Sequence, residues 1–91
     1  MVREGDLVAI FNSIHRVMKA EKVLKEHRQD FLLIPVPRSL ASDCGLAIRY
    51  AEPDHRSIAA ILAEVELLPE LLYRFRDGTF EQIADALSVG K

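Results

Sequence analysis

The sequence has few of the residues that most often carry chemistry. It contains one cysteine and three widely spaced histidines in 91 residues. A single cysteine cannot close a disulfide within the chain, and without a second cysteine the histidines give no zinc-site spacing. The chain also lacks a glycine-rich phosphate loop and a nucleophile-elbow serine. We therefore expect neither a bound metal nor an organic cofactor.

An excess of positive charge is also missing. The net charge is −2 and the isoelectric point is near 5.9. Nucleic acids and anionic membrane surfaces attract basic proteins, so we expect neither as a partner. The charged N-terminus precedes only a short apolar run, which fits neither a signal peptide nor a membrane span. We expect a cytoplasmic protein, in a reducing compartment where a free thiol persists.

The length predicts a single domain over residues 1–91, with a core of residues 6–75 and a helical extension over 76–91. Hydrophobic residues make up 49% of the chain and charged residues 29%, a balance that favours folding. Because so short a chain has a limited core, a partner or a second copy can be needed to complete it. A homodimer is one such arrangement.

Hydrophobic periodicity predicts four strands and three helices. The strands are predicted over residues 7–11, 31–36, 46–50 and 71–75. Ser13 has the position of an N-cap for the first helix, and Pro53 opens the second. Thr79 and Gln82 have capping-box spacing before a third, C-terminal helix. This order predicts an α+β fold, the ferredoxin-like split βαβ arrangement (βαββαβ) with an antiparallel four-stranded sheet plus the C-terminal helix.

The first predicted strand is apolar on both sides. Alternation puts Leu7, Ala9 and Phe11 on one face and Val8 and Ile10 on the other. Two explanations are open: the terminal helix covers the second face, or another subunit does. A third explanation, that these apolar side chains are simply exposed to solvent, is weaker for so many residues.

The cysteine, Cys44, lies in a polar loop directly before Gly45 and the third predicted strand. In the split βαβ topology this loop meets the N-terminus of the first helix, near Ser13, Ile14 and His15. Unpaired amide groups there carry partial positive charge and favour an anion. The glycine would let a ligand or another backbone approach closely.

Nearby charges bear on the reactivity of the thiol. Arg38 and Arg49 would lower the pKa of Cys44, whereas Asp43 would raise it. The alternative is that Cys44 is a small buried residue, that both arginines are solvated and that His15 is an ordinary helix-surface residue. Both interpretations are open from the residues alone.

At these residues the sequence resembles the selenium/sulfur carrier protein-like family of small bacterial and archaeal proteins. The resemblance covers residues 7–75. Its motifs are Phe11-x-Ser13-x-His15, Lys19-Ala20-Glu21-Lys22, Ile34-Pro35-Val36-Pro37-Arg38 and Ser42-x-Cys44-Gly45-Leu46-Ala47-Ile48-Arg49. The resemblance implies that Cys44 carries sulfur or selenium as a persulfide-type adduct. The chain departs from the family at Ile14, where we expect a small polar residue such as threonine.

The leading hypothesis is a carrier in which Cys44 accepts a chalcogen and Ser13, His15, Arg38, Ser42, Gly45 and Arg49 form the binding site around it. The implied partners are a donor of the desulfurase or selenocysteine lyase type and an acceptor. The alternative is a small non-catalytic interaction or ligand-sensing module in which Cys44 is structural and the two-sided sheet builds a dimer. A redox-sensing cysteine is a third possibility.

Overall fold

The computed structural model describes residues 2–40 and 45–83. Its elements are β1 (Leu7–Ile10), α1 (Ile14–Glu26), β2 (Leu32–Pro35), β3 (Leu46–Tyr50), α2 (His55–Glu64), β4 (Leu71–Arg76) and β5 (Thr79–Gln82), with a short 3₁₀ helix at Glu52–Asp54 that leads into α2. In these two ranges, no helix has the length and apolar character that crossing a membrane requires.

The five strands form one antiparallel sheet in the order β2-β3-β1-β4-β5. The central strand, β1, pairs with β3 through Ile10 opposite Ala47 and with β4 through Ile10 opposite Leu71. Both described helices pack on one face of this sheet. The domain is therefore α+β, as predicted.

The predicted four-strand count and the exact ferredoxin-like order are wrong, because a fifth strand extends the sheet. Asp77 and Gly78 have φ values of 54° and 78° and connect β4 to β5, with Arg76 paired opposite Thr79. Two successive residues with positive φ form the tight turn that suits a two-residue hairpin. The segment from Thr79 to Gln82, which we predict to open a helix, is β5. Residues 84–91, into which that helix would continue, lie outside the described residues.

The helix signals of the sequence are confirmed in α1. The Ser13 Oγ accepts a hydrogen bond from the Arg16 amide at 3.2 Å, which is N-cap geometry. Glu21 and Lys25, one turn apart, also form an ion pair at 3.3 Å. Pro53 lies in the first turn of the 3₁₀ helix, so it opens the helical segment as predicted.

Both faces of β1 are buried, as the alternating pattern predicts. The helix-side core contains Leu7, Ala9, Phe11, Val17, Ala20, Leu24, Ile48, Tyr50, Ile58, Leu62, Leu67 and Leu72. The far-side core contains Val8, Ile10, Ile34, Leu40 and Ala47. Among the described residues, partly buried Val2, Val36 and Phe80 pack against the far-side core, and no described helix lies there. A subunit that covers this face stays a prediction.

Candidate functional site at the Gly45 end of the sheet

The strand register brings several predicted site residues to one end of the sheet. Ile10, the last residue of β1, pairs with Ala47, two residues after Gly45. Ser13 follows Ile10 after a short loop and begins α1. The Val36 amide donates to the Gly45 carbonyl at 3.0 Å, which joins the exit of β2 to the entry of β3. We call this the Gly45 end of the sheet.

The N-terminus of α1 lies at the Gly45 end. The amides of Ile14 and His15 belong to the first turn, where a helix provides no acceptor for them. No acidic residue lies in this turn, so no carboxylate of the helix offsets the positive end of the helix dipole. Both side chains are exposed. This geometry favours a bound or covalently held anion.

A short turn follows β2 at the same end. The Leu40 amide donates to the Pro37 carbonyl at 2.9 Å, and the Leu40 side chain is buried in the far-side core. Arg38 is exposed within this turn. The buried leucine fixes the turn to the sheet, whereas the guanidinium is left on the surface.

Gly45 is exposed and has open space beside it. Apart from the glycine itself and its two chain neighbours, no described atom lies within 4 Å of the position that a Cβ would occupy on this residue. The glycine is therefore not required by packing within the described chain. Leu40 and Gly45 flank the segment that holds Ser42 and Cys44, and these two residues lie outside the described part of the structure.

Arg49 is not brought to the Gly45 end. It lies four residues along β3 from Gly45, about 13 Å away at the usual strand rise. Its Nη1 contacts the Asp6 Oδ2 at 2.7 Å, and the same oxygen accepts a hydrogen bond from the Arg3 amide at 2.8 Å. The carboxylate is buried, so this ion pair fixes the chain before β1 to β3.

Sequence reasoning missed a second polar cluster, at the opposite end of the sheet. Tyr50 Oη lies 2.9 Å from His55 Nδ1, and the two rings are stacked. Burial raises the pKa of Tyr50 above its usual value and lowers the pKa of His55, an effect that Glu52 partly offsets. Burial thus favours the neutral form of both groups that this hydrogen bond joins. Arg74 binds Glu52 at 2.6 Å beside this pair.

Tyr50 pairs with His55 and Arg74 pairs with Glu52, which is typical of a structural network, and among the buried side-chain nitrogen and oxygen atoms of this second cluster only the Nε of Arg74 has no hydrogen-bond partner. The signal in the sequence was a tyrosine at the end of a strand and a histidine in the helical segment that follows. Within residues 2–40 and 45–83 there is no group of three or more His, Cys, Asp and Glu side chains that could hold a metal ion.

The fold and site define a small α+β protein whose one cysteine directly precedes Gly45 in the sequence, between β2 and β3. Residues 6–74 match the family described as "Putative Se/S carrier protein-like", and the chain belongs to this family. The family resemblance of the sequence is thus confirmed. The match runs from β1 through most of β4 and ends before β5. Comparisons with curated proteins and with solved structures give no match.

Proposed function

We propose that this protein carries sulfur or selenium on Cys44 and passes it to an acceptor. The observation that carries the proposal is membership of the selenium/sulfur carrier-like family in a chain with a single cysteine. Cys44 directly precedes Gly45 in the sequence, and Gly45 is exposed and has open space beside it. The nearby N-terminus of α1 supports an anionic chalcogen at this end of the sheet.

Each residue of the proposed site has a role. The Ile14 and His15 amides favour the Cys44 thiolate and its persulfide anion over the neutral forms. Ser13 fixes the start of α1 through its N-cap bond. Arg38 supplies an exposed positive charge that attracts the chalcogen anion.

The remaining roles concern access and hydrogen bonding. Ser42 supplies a hydroxyl near the thiol in sequence, and Gly45 gives the partner's backbone room to approach. Arg49 joins this group in the family motif, but its guanidinium binds Asp6. We therefore assign Arg49 to the support of β3 and β1.

The transfer step is a thiolate exchange. The Cys44 thiolate attacks the terminal sulfur of a donor cysteine persulfide, and a new S–S bond forms. The bond between that sulfur and the donor's own cysteine sulfur breaks, and its electron pair leaves on the donor as a thiolate. The proton on the transferred sulfur moves with it, so the step consumes no outside oxidant or reductant. A perselenide donor delivers selenium in the same way.

The partners are a donor of the desulfurase or selenocysteine lyase type and an acceptor that takes the chalcogen from Cys44. The exchange requires a thiolate and access, and it needs neither a metal nor an organic cofactor. A reducing cytoplasm fits this chemistry, because the free thiol persists there between loading events.

Intact-mass spectrometry tests the proposal. The protein, purified without reductant, is exposed to a desulfurase with cysteine or to a lyase with selenocysteine, with Cys44→Ser as the control. We expect an adduct of one chalcogen atom that a reductant removes and that the control lacks. An unmodified thiol that resists alkylation until the protein unfolds would contradict the carrier. It would instead support the interaction or ligand-sensing module in which Cys44 is structural.

A further inference from the structure

An open groove lies between α1 and the chain that follows α2. Its volume is about 380 Å³. Four residues of α1 line one wall and two residues after α2 line the other: Lys19, Lys22, Val23, Glu26, Val65 and Leu67. The lining thus combines three apolar and three charged side chains.

The end of α2 fixes the shape of this groove. Glu66 has a left-handed φ of 59°, and the Leu67 amide donates to the Leu62 carbonyl at 2.8 Å. This helix-ending motif sends Leu67 into the core and leaves Val65 on the surface with 44% of its area exposed. Arg16 Nη2 donates to the Glu66 carbonyl at 3.1 Å and ties the end of α2 to the first turn of α1. The two walls are therefore held in place without a ligand.

The charged residues of the groove carry a net positive charge, from Lys19 and Lys22 against Glu26. Within residues 2–40 and 45–83, neither Lys19 nor Lys22 has a carboxylate within ion-pair distance, whereas Lys25, outside the groove, pairs with Glu21 at 3.3 Å. The helix has four Lys and Arg residues against two Glu, although the whole chain has a net charge of −2. This charge asymmetry favours an acidic occupant.

We propose that this groove docks a short acidic segment of a partner protein. One aliphatic side chain of the segment packs on Val23, Val65 and Leu67, and its carboxylates contact Lys19 and Lys22. The lining positions of α1 span about 10 Å of helix, which fits two helical turns or three extended residues.

Glu26 sets the orientation of the segment. Its carboxylate lies at the far end of the groove from the start of α1, so the acidic end of the segment points toward the Gly45 end of the sheet. The occupant thereby runs along α1 toward the sheet end at which Gly45 lies. That the partner is the chalcogen donor or acceptor rests on the proposed function. The docking of an acidic segment in the groove does not depend on that function.

Binding of model peptides tests the docking surface. The probe is the peptide EELLEEL, compared with EESSEES and KKLLKKL, in low salt, with nitrogen-15 amide shifts to locate the contact. We expect EELLEEL to shift the amides of Lys19, Lys22 and Val65. The double variant Lys19→Gln/Lys22→Gln should bind about fivefold more weakly, the sum expected for two exposed ion pairs of ordinary strength. Glu26→Gln should bind more tightly, because a repulsive carboxylate is gone.

The matched control is Lys25→Gln/Arg28→Gln, which removes the same charge from the same part of the chain outside the groove. It should bind EELLEEL within about twofold of the unaltered protein. An equal loss in the control, equal binding of EESSEES, or shifts confined to another surface would overturn the proposal. So would binding of RNA or anionic vesicles, but not peptide, through the same lysines. The variant Cys44→Ser cannot carry a chalcogen but keeps the groove, so it should bind EELLEEL as the unaltered protein does. Loss of docking and loss of chalcogen loading can therefore be told apart.

Discussion

Removal of the Arg49 guanidinium should destabilise the fold through the carboxylate it leaves behind. Asp6 is only 6% exposed, and its Oδ2 accepts bonds from Arg49 Nη1 at 2.7 Å and from the Arg3 amide at 2.8 Å. In Arg49→Met the apolar stem is kept and the charge is lost. The buried carboxylate then has only a backbone amide as a described partner.

The structure sets the size of this effect between two limits. Breaking a buried pair by removing one partner costs about 3–5 kcal/mol, and an exposed pair contributes about 0–1 kcal/mol. Because the Arg49 side chain is 16% exposed and that of Asp6 is 8% exposed, we expect a loss of about 2–3 kcal/mol for Arg49→Met. The double variant Asp6→Asn/Arg49→Met should recover most of the loss, since no buried charge is left unpaired.

Urea unfolding of the four proteins in this double-mutant cycle gives the coupling free energy. The rate of Cys44 alkylation in the native state is measured on the same samples and should not change with Arg49→Met. Additive losses in the cycle, or a single-variant loss below about 0.5 kcal/mol, would refute the reasoning. Slower alkylation at unchanged stability would show instead that Arg49 acts on the thiol.

Three further changes are expected to have measurable effects. Ser13→Ala removes the N-cap of α1, so it should lower the free energy of unfolding by about 1 kcal/mol and slow alkylation of the native thiol near neutral pH. Glu66→Gly should raise the melting temperature and stabilise the fold by about 1 kcal/mol, because Glu66 has a φ of 59°. Burial lowers the pKa of His55, so the unfolded chain takes up the proton first and the free energy of unfolding should fall as pH drops below about 6.5.

Each of these three predictions has a distinct contrary result. An unchanged alkylation rate in Ser13→Ala, despite lower stability, would separate the helix N-terminus from the thiol. A lower melting temperature for Glu66→Gly would mean that the glutamate side chain contributes more than its backbone strain costs. The variant His55→Gln keeps a hydrogen-bonding partner for Tyr50 and should lose the pH dependence of the free energy of unfolding. If this variant keeps the pH dependence, another group is responsible for it.

Local signals predicted much of the fold because they depend on neighbouring residues. Alternation along β1 showed that both of its faces are buried, and Ser13 was recognisable as an N-cap. The strand β5 was missed because Thr79 and Gln82 match a capping box, a pattern that also occurs outside helices. The Asp77-Gly78 pair was the stronger signal, since it is typical of a two-residue hairpin turn.

Contacts between distant parts of the chain explain what could not be predicted. Alternation along β3 places Arg49 on the same face as Val8, but no local pattern reveals that Asp6 accepts its charge. The groove beside α1 depends likewise on how α2 ends, through the bond of Arg16 to Glu66. Such pairings depend on the strand order and on helix packing.

The most direct test of the account is the rate of Cys44 alkylation in the native protein as a function of pH. The account predicts that the thiol reacts without unfolding and that its pKa lies below the usual value of about 8.5, because the N-terminus of α1 favours the thiolate. A thiol that reacts only after denaturation, or one that titrates at or above that value, would contradict the assignment of Cys44 as the chalcogen carrier.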